Sequence, residues 1–181
     1  LTGVNIGATK PGSFPGELAV TKEEYLRWFK YIDEMNSNVI RVYTTMMPAF
    51  YEALSEYNSG KSKPLYLMQG IWMNDDTSRI LGDAFGNDEQ IVKELIKDGK
   101  DLIDIFHGNA ALDVNPGLAS GSYTKDVSKY VIGWILGVEW DPNFVIETNT
   151  NNPLKTAHDG TYLKTTALAS PFEVFLAEFG D

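Results

Sequence analysis

The sequence predicts an α/β chain, and two observations predict it. Apolar segments of strand length alternate with amphipathic segments of helix length in the order β-α-β-α-β-α-β-α. That is the pattern of a parallel sheet with helices outside it. The second observation is the segment 131–141, VIGWILGVEWD, which alternation along a strand divides into two faces. Val131, Gly133, Ile135, Gly137 and Glu139 form a narrow face, and Ile132, Trp134, Leu136, Val138 and Trp140 a bulky one. A bulky face suits packing beneath helices. A narrow face ending in a carboxylate suits the crowded interior of a small parallel barrel, whose C-terminal strand ends carry its chemistry. The bland alternative is a buried strand whose Glu139 opens a solvated loop. The expectation is a sheet of parallel strands with outer helices, filling 1–181 as a single domain without a linker.

Composition sets the outer bounds. A chain of 181 residues with 43% hydrophobic and 12% aromatic residues can bury a real core and lies outside the disordered class. Lys+Arg 15 against Asp+Glu 25 gives a net charge of -10. An acidic surface repels phosphate backbones, so neither nucleic acid nor an anionic membrane is expected as a partner. The absence of cysteine excludes disulfides and thiolate metal sites. No apolar run approaches a membrane span, so no membrane insertion is expected. The chain opens at Leu1 without Met and reads as a trimmed piece, so a missing targeting segment carries no weight.

Taken in order, residues 2–7 (TGVNIG) form a short strand, and 8–17, with two Pro-Gly pairs, a loop. Nothing there closes a phosphate loop. Thr21 and Glu24 make a capping box ahead of Tyr25, Trp28, Phe29, Ile32 and Met35 at helical spacing. Residues 38–44 (NVIRVYT) form the second strand, carrying Arg41 and Tyr43 on one face with Val39. Arg41 is either in water on an edge strand or inside the barrel, paired with a carboxylate near its mouth. Pro48 starts a second helix, and 65–72 (LYLMQGIW) is a strand apolar enough to be covered on both faces. Asn74-Asp75-Asp76 reads as solvated loop.

Residues 87–106 form the longest helix, and 107–128 a connector with room for a small hairpin. After the fourth strand, 142–166 reads as a polar, Asn- and Thr-rich excursion forming the wall of a cleft. Ser170 and Glu173 form a second capping box, with Pro171 at the first helical position.

GVNIG, NVIRVYT, LYLMQGIW and GWILGVEWD at this spacing, followed by PFEVFLAEFGD, together resemble the N-terminal half of a (β/α)8-barrel glycoside hydrolase. The set is similar to the large retaining clan of β-galactosidase-like and β-glucanosyltransferase-like enzymes, bacterial relatives in particular. The resemblance implies a TIM-barrel type fold, in this chain a (β/α)4 half-barrel with parallel strands and outer helices, and a poly- or oligosaccharide substrate, with no cofactor and no metal. In that clan a glutamate ending strand 4 is the general acid/base, a glutamate ending strand 7 the nucleophile, and an arginine on strand 2 supports it. By position Glu139 matches the acid/base and Arg41 the arginine, while Val138 stands where the clan carries an asparagine for the sugar 2-hydroxyl. Tyr43, Trp72 and Trp140 are expected near the mouth, where rings stack on sugar faces.

Retaining hydrolysis needs two carboxyls about 5–5.5 Å apart, and the donor must hold its proton near neutral pH, which burial favours. Glu139, between Val138 and Trp140, is placed for that. Four strands supply no strand-7 nucleophile, so this chain alone is expected to be inactive. It is further expected to self-associate or to pair with a missing C-terminal half-barrel, because unpaired edges and open apolar faces drive association. The rivals are a non-catalytic carbohydrate-binding or assembly module using Trp140 and residues 149–152, and a small α/β enzyme with an open sheet.

Overall fold

The computed structural model describes residues 1–73 and 82–181; the Asn74-Asp75-Asp76 run lies outside them. The chain is α/β, with a four-stranded parallel sheet and five helices among the described residues. It divides into two compact units, residues 1–70 with 100–135, and residues 71–99 with 136–181.

The first unit holds the sheet. Its strands are β1 (Gly3–Asn5), β2 (Val39–Val42), β3 (Tyr66–Ile71) and β6 (Val131–Leu136), lying side by side in the order of the chain. Arg41 is in register with Asn5 of β1 and Met68 of β3. Between β1 and β2 runs α1 (Lys22–Glu34). Its Thr21 capping box forms as expected: the Glu24 N–H donates to Thr21 Oγ1, and the Thr21 N–H donates to the Glu24 carboxylate. Between β2 and β3 runs α2 (Pro48–Asn58), begun by the anticipated proline. Tyr25, Phe29 and Phe50, all buried, lock the two helices together, with the Tyr25 and Phe50 rings edge to face at 5.2 Å. Ile40, Val42 and Leu67 form the apolar floor beneath them.

A buried polar chain ties the C-terminal ends of β2 and β3. The Tyr51 hydroxyl donates to Gln69 Oε1 (3.0 Å) and accepts from the Met46 N–H, while Tyr123 donates to the Met46 carbonyl. Gln69 Nε2 completes it on the Thr44 and Gly70 carbonyls, so the Tyr51, Gln69 and Tyr123 side chains are all partnered. Burial pushes the Tyr123 hydroxyl up to about 12. Gly70 is fixed by space, since a Cβ there would lie 2.5 Å from the Tyr43 carbonyl oxygen.

The long helix α3 is Gly86–Phe106. After it, the connector forms the small hairpin it had room for, β4 (Ala110–Leu112) with β5 (Gly121–Tyr123), antiparallel.

The sheet excludes one of the two readings of Arg41 and corrects one expectation about β6. β2 lies between β1 and β3, so Arg41 is not on an edge strand. The bulky face of β6 is not sealed under helices either: Ile132 and Trp134 are 42% and 39% exposed. The reason is that β6 is an end strand, and among the described aromatic rings Trp134 meets Phe106, at 5.1 Å.

The second unit holds the N-terminal part of α3 together with α4 (Pro142–Asn151) and α5 (Pro171–Gly180). The polar stretch after β6, expected as an excursion throughout, begins as the helix α4. Asp141 caps it, accepting from the Asn143 and Phe144 N–H groups, and Pro142 occupies the first turn. Its asparagines are engaged inside the unit: Asn149 accepts from the Phe172 N–H, and Asn151 and Asn152 donate to Asp83. The Ser170 capping box forms as expected. Lys155 sits over the Phe85 ring, 3.8 Å from its centroid, and pairs with Glu89. No helix among the described residues is long and apolar enough to cross a membrane.

Candidate functional site

The residues singled out from sequence divide between the units. Arg41 and Tyr43 belong to the first, and Trp72, Glu139 and Trp140 to the second.

Within the first unit Arg41 and Tyr43 are brought together at the end of β2. The guanidinium carbon sits 4.7 Å from the Tyr43 ring centroid, in the range of a cation–π contact. Arg41 Nε is buried with no hydrogen-bond partner among the described residues. A buried donor left unpaired costs about 1–3 kcal/mol. That cost makes stability a poor reason for placing an arginine in the second strand of a sheet.

Glu139 lies just beyond β6, in the link between Leu136 and Pro142. It is exposed, not buried as its apolar flanks suggested. The backbone explains the difference, because Glu139 has φ 55, which breaks the strand geometry and turns the side chain out of the alternation. Left-handed geometry costs a non-glycine residue roughly 1–2 kcal/mol, so it persists only where the surroundings enforce it.

The enforcement comes from both sides. Gly137, at φ 71, donates its N–H to the Ile71 carbonyl (3.0 Å). The Trp140 ring lies against the Gly137 Cα, where any Cβ would collide with it. Trp140 stacks on Phe144 at 5.9 Å and meets the edges of Phe172 and Phe175 at 5.5 and 5.6 Å. One residue further, Asp141 is pinned as the cap of α4. The carboxylate of Glu139 is therefore displayed from a backbone held by an aromatic cluster on one flank and a helix cap on the other. Trp140, foreseen as a sugar platform, spends much of its ring surface on this packing. Trp72 directly follows β3 and is 38% exposed.

Among the described residues no group of three or more His, Cys, Asp or Glu could hold a metal ion. One pocket escaped sequence reasoning. It has a volume of about 450 Å³ and opens in the first unit, at the N-terminal end of β3 and beside the turn before β6. Its polar side chains come from three separated stretches, 55–61, 64–66 and 126–130, and no spacing rule connects them. Compared with known proteins, the chain matches no family model, no curated sequence and no solved structure.

Proposed function

We propose that this chain is a half-barrel of glycoside hydrolase type, acting on a poly- or oligosaccharide with Glu139 as general acid/base. The observation that carries the reading is Glu139 itself, an acidic residue in the left-handed region, directly after a parallel strand, on a backbone fixed by Trp140 and Asp141. Strain of that kind accumulates where geometry serves chemistry. Strand order adds support. Doubly wound sheets reverse their order at a switch point, whereas these four parallel strands follow the chain without reversal, as barrel strands do.

In this reading Glu139 protonates the glycosidic oxygen as the bond to the leaving group breaks, then takes a proton from the incoming water or acceptor hydroxyl. A nucleophilic carboxylate about 5–5.5 Å away is needed to form the glycosyl intermediate, and it comes from a strand outside these four. Aryl glycoside hydrolysis tests the proposal. The chain alone is expected to show only background turnover, and a barrel completed by a second half carrying the nucleophile to show catalysis. Glu139→Gln is expected to lower the completed barrel's kcat/KM by about 10²–10⁴-fold. Turnover indifferent to that substitution sinks the assignment.

A non-catalytic assembly module is the second reading, favoured by the exposure of Ile132 and Trp134 on β6. It predicts oligomers whose formation ignores Glu139→Gln.

A further inference from the structure

The polar pocket of the first unit has an unusual charge balance for its setting. The chain is strongly acidic, yet two lysines, Lys61 and Lys129, converge on this pocket. Lys61 Nζ contacts Asp33 Oδ2 at 2.5 Å and lies over the Tyr57 ring. Lys129 lies over the Tyr130 ring, 5.0 Å from its centroid. It also acts on Asp126, whose carboxyl is held below its ordinary range chiefly by the hydroxyl and N–H of Ser128 and to a smaller degree by His107 and Lys129. Both ammonium groups thus lie over aromatic rings; Lys61 is paired with Asp33, and Lys129 shares the lining with the opposite charge of Asp126.

That balance decides the class of ligand. An anion would meet Asp126 along with the lysines, and a cation would meet Lys129 along with Asp126, so neither gains much charge complementarity. What the lining offers instead is a dense mixture of donors and acceptors. The ammonium groups only donate, ionised Asp126 only accepts, and the hydroxyls of Ser55, Ser59 and Tyr66 do both. A sugar hydroxyl likewise donates and accepts, and adjacent hydroxyls present the two functions in alternation. The volume, about 450 Å³, falls within the range of small-molecule sites. Half-buried Tyr66 supplies apolar ring surface for the C–H face of a pyranose.

We infer that this pocket is a binding site for a neutral saccharide of one or two units, at the N-terminal ends of β3 and β6 and not at the strand ends where Glu139 follows. The inference rests on the lining alone and stands or falls apart from any role of Glu139.

Titration of the labelled chain with D-glucose, D-galactose, D-mannose and inorganic phosphate, followed by amide NMR, tests it. At least one hexose is expected to shift the Lys61, Tyr66, Asp126 and Lys129 amides saturably, with Kd on the order of 1–10 mM. Lys129→Ala, at an exposed position that leaves the fold intact, and Tyr66→Phe are each expected to weaken binding about three- to tenfold, and Glu139→Gln to leave it unchanged. Shifts produced by phosphate and by none of the hexoses would overturn the inference. So would hexose binding that survives both pocket substitutions, or that moves only residues 139–141 and vanishes with Glu139→Gln. The absence of any saturable shift up to about 100 mM would dispose of it equally.

Discussion

The Arg41 guanidinium lies over the Tyr43 ring, 4.7 Å from its centroid, while its Nε is buried without a hydrogen-bond partner among the described residues. These two residues are separated by one position at the end of a strand flanked on both sides. The contact returns part of the cost of desolvating the cation and leaves the unpaired N–H as a debit.

Arg41→Met should therefore be neutral, or stabilise the chain by up to about 1 kcal/mol, because it keeps the apolar stem over Tyr43 and removes the unpaired donor. Arg41→Ala should cost about 1 kcal/mol through lost packing. Urea midpoints of the two variants check this. A Met variant clearly less stable than the Ala variant would show that the side chain is not held by its stem.

The strained backbone at Glu139 gives an opposed pair of expectations. Glu139→Gly should stabilise by up to about 1 kcal/mol, since glycine adopts a left-handed φ without penalty. Gly137→Ala should destabilise by about 2 kcal/mol or more, because its Cβ has no room beside the Trp140 ring and its φ is positive. Thermal unfolding of both variants decides the matter. A destabilising Glu139→Gly would mean that the carboxylate contributes more to the fold than its conformation costs.

Much of the architecture was legible because local signals and tertiary packing agreed. Thr21-x-x-Glu24 and Ser170-x-x-Glu173 both became capping boxes, and the alternation of segments gave the parallel sheet. The start of α4 was equally local, an Asp141-Pro142 cap, but the Asn- and Thr-rich composition that follows obscured it. What could not be read was anything set by neighbours distant in sequence. The alternation that put Ile132 and Trp134 under helices says nothing about which strand ends the sheet. The turn at Glu139 depends on a ring three residues from Gly137 and on the phenylalanines of two helices. The lining of the polar pocket depends on three stretches meeting in space.

The capping boxes carry a pH dependence of definite sign. Glu24 is held below its ordinary value of 4.5, first by the Lys10 ammonium and then by the Thr21 N–H. Glu173 is held below it by the Ser170 N–H and hydroxyl. A carboxyl whose folded pKa is depressed contributes stability that is fully present above its unfolded pKa and is lost as the pH falls through the folded one. Stability should therefore change little on this account between neutrality and about pH 5, then decline on further acidification. Thr21→Ala and Ser170→Ala should each cost about 1 kcal/mol at neutral pH, whereas the double variant Glu24→Gln/Glu173→Gln, which removes the two depressed carboxyls, should flatten the acid limb. Urea titrations across that range measure both effects, and an acid limb unchanged in the double variant would remove the boxes as its source.

The exposed face of β6 makes association itself measurable. As the end strand of the four, β6 carries Ile132 and Trp134 at 42% and 39% exposure, an apolar patch on an unpaired edge of the kind that templates pairing with another chain. Working against this is the net charge of -10, whose mutual repulsion is long-ranged at low ionic strength and screened within about 10 Å at 0.1 M salt. The two terms predict opposite salt responses. Self-association driven by the patch should strengthen as salt rises, because repulsion falls while apolar burial does not, whereas association through ion pairs should weaken. Light scattering at low and at moderate salt separates them. Ile132→Lys is the matching variant, since it places a charge on the exposed strand without touching the contact between Trp134 and Phe106. It should shift the equilibrium toward monomer at every salt concentration. A wild-type chain that stays a monodisperse monomer at moderate salt would count against self-association.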